Sequence, residues 1–330
     1  MSGTRPKEKP IDHLRAPIER IIHLENMSGI ALITGALVAL ILANTPAAAS
    51  VDHFWHTHLS ISFGPLEIDE SLTHWINDGL MTVFFFVAGL EIKRELVTGD
   101  LRDPRTAALP GIAALGGMLV PAGLFIAFSG SEFRGGWGVP MATDIAFAVG
   151  VLTLLGNKVP GQLKMLLLTL AIVDDLGAIL VIAVFYTASI NTTALMIAGG
   201  CLVGLAVLRR LGVWWMPAYV MVGIALWVAT FESGIHATLA GVVCGLAAPA
   251  VPRRPEQVNI TAPAAVGLDE LKTIIFDTRE TRSVVDRLIH NLHPLTAFLI
   301  VPLFALANTG VATPPAAVVD AATSSLGQAI

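Results

Sequence analysis

About nine apolar stretches in this chain are long enough to cross roughly 30 Å of hydrocarbon as helices. They fall near residues 27–44, 72–92, 106–128, 137–156, 165–187, 193–208, 213–231, 235–249 and 294–310. Lipid offers backbone amides no partner, so runs of this kind fold as helices that satisfy themselves. Composition agrees: 54% of the residues are hydrophobic and only 14% charged, against roughly 25% charged in a soluble domain. The net charge of −5 is spread over the connections and leaves no basic patch for nucleic acid. The predicted fold class is an all-α polytopic membrane protein.

The basic residues give an orientation. All of the 20 Lys and Arg except Arg134 lie in residues 1–26 or in alternate connections, at 93–105, 158–164, 209–210 and 253–287. Positive charge stays cytoplasmic, which places the N-terminus and every second connection on that side. Residues 1–26 then read as a cytoplasmic leader to a retained helix, not a cleaved signal peptide. Residues 27–249 form a membrane domain of eight segments. Residues 250–293 read as a cytoplasmic linker, partly helical from Leu268. A ninth helix follows at 294–310, then a periplasmic tail at 311–330. Within the long outer connection 45–70, alternation over His58–Phe63, a Gly64-Pro65 turn and Leu66-Glu67-Ile68 predict a β-hairpin. Its free edge, over residues 58–69, suits pairing with a second copy in a homodimer.

Three carboxylates lie inside these apolar runs. Each costs roughly 2.5–3.5 kcal/mol at mid-bilayer on the gentler insertion scales, so stability does not explain them. Asp144 follows Gly138-Val139-Pro140-Met141-Ala142-Thr143. Pro140 removes a backbone donor, and Thr143 and Asp144 suit the N-cap of the run Ile145–Leu155. The fourth segment is therefore predicted to be a discontinuous helix, broken where it faces protein or a wet cavity. Asp174 and Asp175 sit between the apolar runs Met165–Val173 and Leu176–Phe185, far from either helix end. Neighbours on a helix point about 100° apart, so the two acids face different surroundings. Desolvation and mutual repulsion favour proton uptake by at least one of them. Ionised, it is a hard oxygen ligand for Na⁺ or Li⁺. Proton and cation then compete for one site.

The runs Ala142-Thr143-Asp144-Ile145-Ala146-Phe147-Ala148 and Ala171-Ile172-Val173-Asp174-Asp175-Leu176-Gly177-Ala178 resemble signature motifs of the NhaA-type sodium/proton antiporters of bacterial inner membranes. Further matches are Trp75-Ile76-Asn77-Asp78, Gly89–Leu96, His236–Gly241 and Pro302–Asn308. The family is itself a standing example of inverted repeats with broken helices. The resemblance implies Asp175 as the direct Na⁺ ligand, with Asp174 exchanging its proton or pairing with a lysine. Thr143 and Asp144 would lie where two broken helices cross. Glu91, Lys93, Arg94 and Glu95 would belong to a cytoplasmic funnel linked to pH activation, along with His236 and with His290 and His293 ahead of the ninth helix. The family pattern has a glutamate where this chain has Ile289. Family members have twelve helices, the last three supplying the second broken helix and that lysine. The sequence ends at Ile330, so this reading expects an incomplete inverted-repeat fold with impaired exchange.

The expected function is secondary exchange of Na⁺ or Li⁺ for H⁺, with no cofactor and no enzymatic activity. Two alternatives differ in class. An intramembrane aspartyl protease could use Asp144 with Asp174, but gives Asp175 no role. A cation-coupled symporter of organic solutes wants a polar cavity that these helices are poor in. His53, His56 and His58 match no zinc spacing and read as a solvated loop. Asn77 and Asp78 suit either the outer end of the ion pathway or helix capping. Cys201 and Cys244 read as apolar fillers, and Gly116-Gly117 and the small residues of 235–249 as close helix packing.

Overall fold

The structure is a computed structural model that describes residues 12–63, 66–130, 133–141, 161–187, 190–213, 215–250 and 283–310. The expected break at Thr143 and Asp144, most of the linker and the tail lie outside the described residues. Helix α1 spans Asp12–Ala43, so the described part of the expected leader is helical. Helix α2, Ala48–Trp55, leaves it at 119°. Strands β1, His58–Phe63, and β2, Leu66–Ser71, pair antiparallel with Ile61 opposite Ile68. The alternation of the sequence thus becomes the expected hairpin.

Helix α3, Leu72–Thr98, starts directly from β2. Ser71 caps it, its hydroxyl accepting from the His74 amide at 3.3 Å. Helix α4, Pro104–Phe128, is capped by Asp103 and keeps Pro110 and Pro121 inside it. Helix α5 is Gly161–Phe185, α6 is Thr192–Arg210 and α7 is Met216–Glu232. Gly212 and Gly234, at φ 67° and 78°, take the left-handed turns that follow α6 and α7. Helix α8 is Thr238–Ala247 and α9 is Val284–Asn308.

Among the described residues, α3, α4, α6 and α9 are long and apolar enough to cross a membrane, and α1 with α2 makes a fifth, bent candidate. Helix α8, expected as a full span over 235–249, has only 10 residues, or about 15 Å of helix. Helix α9 starts at Val284 instead of near 294, because Ser283 caps it and bonds Asp286 in return. The last part of the expected linker, for which helix was foreseen from Leu268, thus runs on into the ninth helix without a break.

Helix α8 lies parallel to α3 in the tightest crossing among the described helices. A Cβ on Gly89 would stand 2.5 Å from the Val242 carbonyl oxygen, and one on Gly245 would stand 2.5 Å from that of Phe86. Gly241 meets the backbone of Thr82 and Phe86 in the same way. Small residues let two backbones touch, and in lipid such contact replaces the hydrophobic driving force. Gly116 and Gly117, expected to do the same, meet nothing within 4 Å; they sit on a face of α4 that no described neighbour covers. Helix α9 runs antiparallel to α3, with Val285 and Ile289 against Leu90 at one end and Asn308 beside Asn77 at the other. Helices α6, α7 and α8 share a core of Ala198, Leu205, Leu226, Ala229 and Ala240, where Cys201 and Cys244 pack as apolar filler. The outward faces stay apolar, as at Ile112, Leu119, Met196 and Val203, which suits lipid contact.

Candidate ion site and the hairpin end of α3

Asp174 is only 2% exposed. It sits near the middle of α5, whose 25 residues measure about 37 Å, so neither helix end reaches it. Thr169, five residues earlier on the same helix, is also buried. On the same helix, Gly177 receives the Met118 sulfur of α4, which locks the two helices side by side. Asp175 is the next residue of α5.

Asp78 occupies a different kind of place. It lies in a π-helical turn, Trp75–Leu80, near the hairpin end of α3. Such one-turn irregularities re-aim side chains and gather at functional sites. Its carboxylate meets His74 Nε2 at 2.9 Å, and the charges of His236 and Glu70 also act on it. Its carbonyl accepts from the Trp227 indole N–H at 2.9 Å and from the Thr82 hydroxyl. Trp75, Trp227 and Phe231 stack in a row beside it. Asn77 and Asn308 exchange amide hydrogen bonds at 3.0 and 2.8 Å, tying α3 to α9. The Trp75 indole donates to Leu59 of the hairpin at 2.8 Å. Asp78 is thus no helix cap.

The residues grouped by resemblance into one funnel separate here. Glu91, Lys93, Arg94 and Glu95 lie at the far end of α3, where Arg94 faces Glu91 electrostatically and the Glu95 carboxylate folds over Gly99. His290 and His293 belong to the half of α9 that packs at that same end. His236 does not join them. It lies two residues before α8, and because α8 runs parallel to α3 it lands near enough to Asp78 for its charge to act on that carboxylate. Three contributors had escaped sequence reasoning: His74, Trp227 and the partnering of Asn308 with Asn77. Only the four-residue spacing of His74 and Asp78 was visible as a signal.

Among the described residues no three His, Cys, Asp or Glu side chains converge as a metal-binding group. His56 pairs with Asp52 and His58 with Asp69, at 3.3 and 3.4 Å.

The family model described as Na+/H+ antiporter 1 matches residues 19–330. The chain belongs to that family. Among similar proteins, a sodium/proton antiporter of Myxococcus xanthus is 47% identical over 89% of this chain and 66% of its own length. One from Rhodopirellula baltica is 47% identical over 94% of this chain and 74% of its own. One from Frankia alni is 42% identical over 97% and 72%. The chain therefore spans about two thirds to three quarters of the length of these relatives. All three are named antiporters, which supports neither a protease nor a solute symporter. Family membership and the apolar helices make this a multi-pass membrane protein.

Proposed function

We propose that this antiporter-family chain exchanges Na⁺, and also Li⁺, for H⁺ across the bacterial inner membrane, serving sodium and pH homeostasis. The observation that carries the reading is the carboxylate of Asp174, buried near the middle of a long apolar helix beside a second acid in the sequence. Only a group with a use there repays the cost of desolvating it. Asp175 supplies ligand oxygens to the bare cation, and Asp174 takes up or releases the compensating proton. Thr143 and Asp144 complete the site from a discontinuous fourth segment. Asp78 lies on the outer approach, where His74 and His236 share its field. Glu91, Lys93, Arg94, Glu95, His290 and His293 adjust activity to pH at the cytoplasmic end. The N-terminus is cytoplasmic, about nine segments span the membrane, and hairpins over 58–69 join two copies. No cofactor takes part and no bond is made or broken.

Proteoliposomes with a trapped pH dye test this. Added Na⁺ or Li⁺ should evoke proton movement that K⁺ does not, and Asp175→Asn should abolish it. Equal responses from both proteins would remove Asp175 from the mechanism.

A further inference from the structure

We infer that Tyr186 is a positioning residue for this exchange: its hydroxyl ties the helix carrying Asp174 and Asp175 to the chain that leads into Thr143 and Asp144. The inference rests on the exchange reading above and names a residue that reading does not use. Tyr186 directly follows the last residue of α5. Its hydroxyl donates to the Gly135 carbonyl at 2.9 Å and accepts from the Gly138 amide at 2.9 Å. One oxygen therefore clamps both ends of the turn Gly135–Gly138. Between them, Trp137 packs edge-on against Phe185 with centroids 5.2 Å apart and tilts over Tyr186. Gly138 has no room for a side chain, since a Cβ there would stand 2.8 Å from the hydroxyl and 3.0 Å from the ring.

The clamp continues into the protein. Met141 is buried against Met118 and Ala122 of α4, with Trp137 and Val181 of α5 closing over the same cluster. Segment 133–141, α4 and α5 thus behave as one packed unit. Asp144 follows Met141 by three residues of chain, each spanning at most about 3.6 Å. Whatever anchors Met141 also limits where that carboxylate can go. A binding constellation must be held within about 0.5 Å of its productive geometry, so slack between the two acid-bearing segments weakens ion binding before it slows turnover.

Tyr186→Phe deletes the oxygen and keeps the ring. In proteoliposomes it is expected to raise the apparent KM for Na⁺ about five- to thirty-fold, the factor that one or two net hydrogen bonds represent. The maximal rate should stay within about twofold. Gly138→Ala, which displaces the same hydroxyl, should raise KM comparably, and the double variant should do no worse than the more affected single one. A wild-type KM in Tyr186→Phe, a loss confined to the maximal rate, or additive losses in the double variant would overturn the role of Tyr186. A wild-type protein silent to Na⁺ would instead defeat the exchange reading, and this inference with it.

Discussion

Gly245→Ala should force α3 and α8 apart, and its size can be worked from the backbone. The added Cβ would stand 2.5 Å from the Phe86 carbonyl oxygen and 2.7 Å from both Gly89 C and Leu90 N. Favourable carbon contacts lie near 3.5–4.0 Å, so the helices must separate by about 1 Å. Every atom met is backbone, and no rotamer change relieves the clash. Overpacking of this kind costs about 1–3 kcal/mol. Alanine also gains about 1 kcal/mol over glycine in helix propensity, which hides part of the loss. Gly199→Ala supplies the control: it lies in α6 with nothing within 4 Å, so only propensity acts and stability should rise by about 1 kcal/mol. Subtracting one from the other isolates the clash. Reversible unfolding in mixed micelles measures both, and Gly245→Ala should fall about 1–3 kcal/mol below Gly199→Ala. Two unfolding free energies within about 0.5 kcal/mol of each other would refute the close crossing.

Two smaller tests address the ends of α9. Alanine at Asn77 and Asn308, singly and together, should give a coupling of about 0.5–1.5 kcal/mol in an unfolding cycle, because each amide satisfies the other across α3 and α9. Ser283→Ala should cost about 1 kcal/mol and release the first turn of α9 to faster hydrogen exchange, since the buried hydroxyl accepts from the Asp286 amide at 3.0 Å.

Much of the fold was legible because it rests on local chemistry. Long apolar runs predict helices wherever water is absent, and eight of the nine expected stretches overlap helices among the described residues. The hairpin followed from alternation around Gly64-Pro65. Local cues failed where a boundary depends on capping or curvature. Nothing in the mixed charge of residues 12–26 announces that helix α1 covers them, and the apolar run 235–249 conceals a helix of 10 residues. Gly116-Gly117 looked like a contact and meets nothing among the described residues, while Gly89, Gly241 and Gly245 form the crossing. A glycine permits close approach; whether a neighbour arrives is a tertiary question.

The candidate site divides along the same line. That acids at 174 and 175 lie deep in an apolar helix was legible in the chain alone, because the distance to each helix end is a count of residues. The sequence also carried the family motifs. It could not say that His236 belongs with Asp78 and His74 instead of with Glu91 and Glu95, or that Tyr186 bridges Gly135 and Gly138. Those placements depend on which way α8 runs along α3 and on how α5 packs against the segment before Met141. Helix formation is settled by neighbours three and four residues away. Which helices touch is settled by contacts between residues far apart in the chain, and no local pattern encodes them.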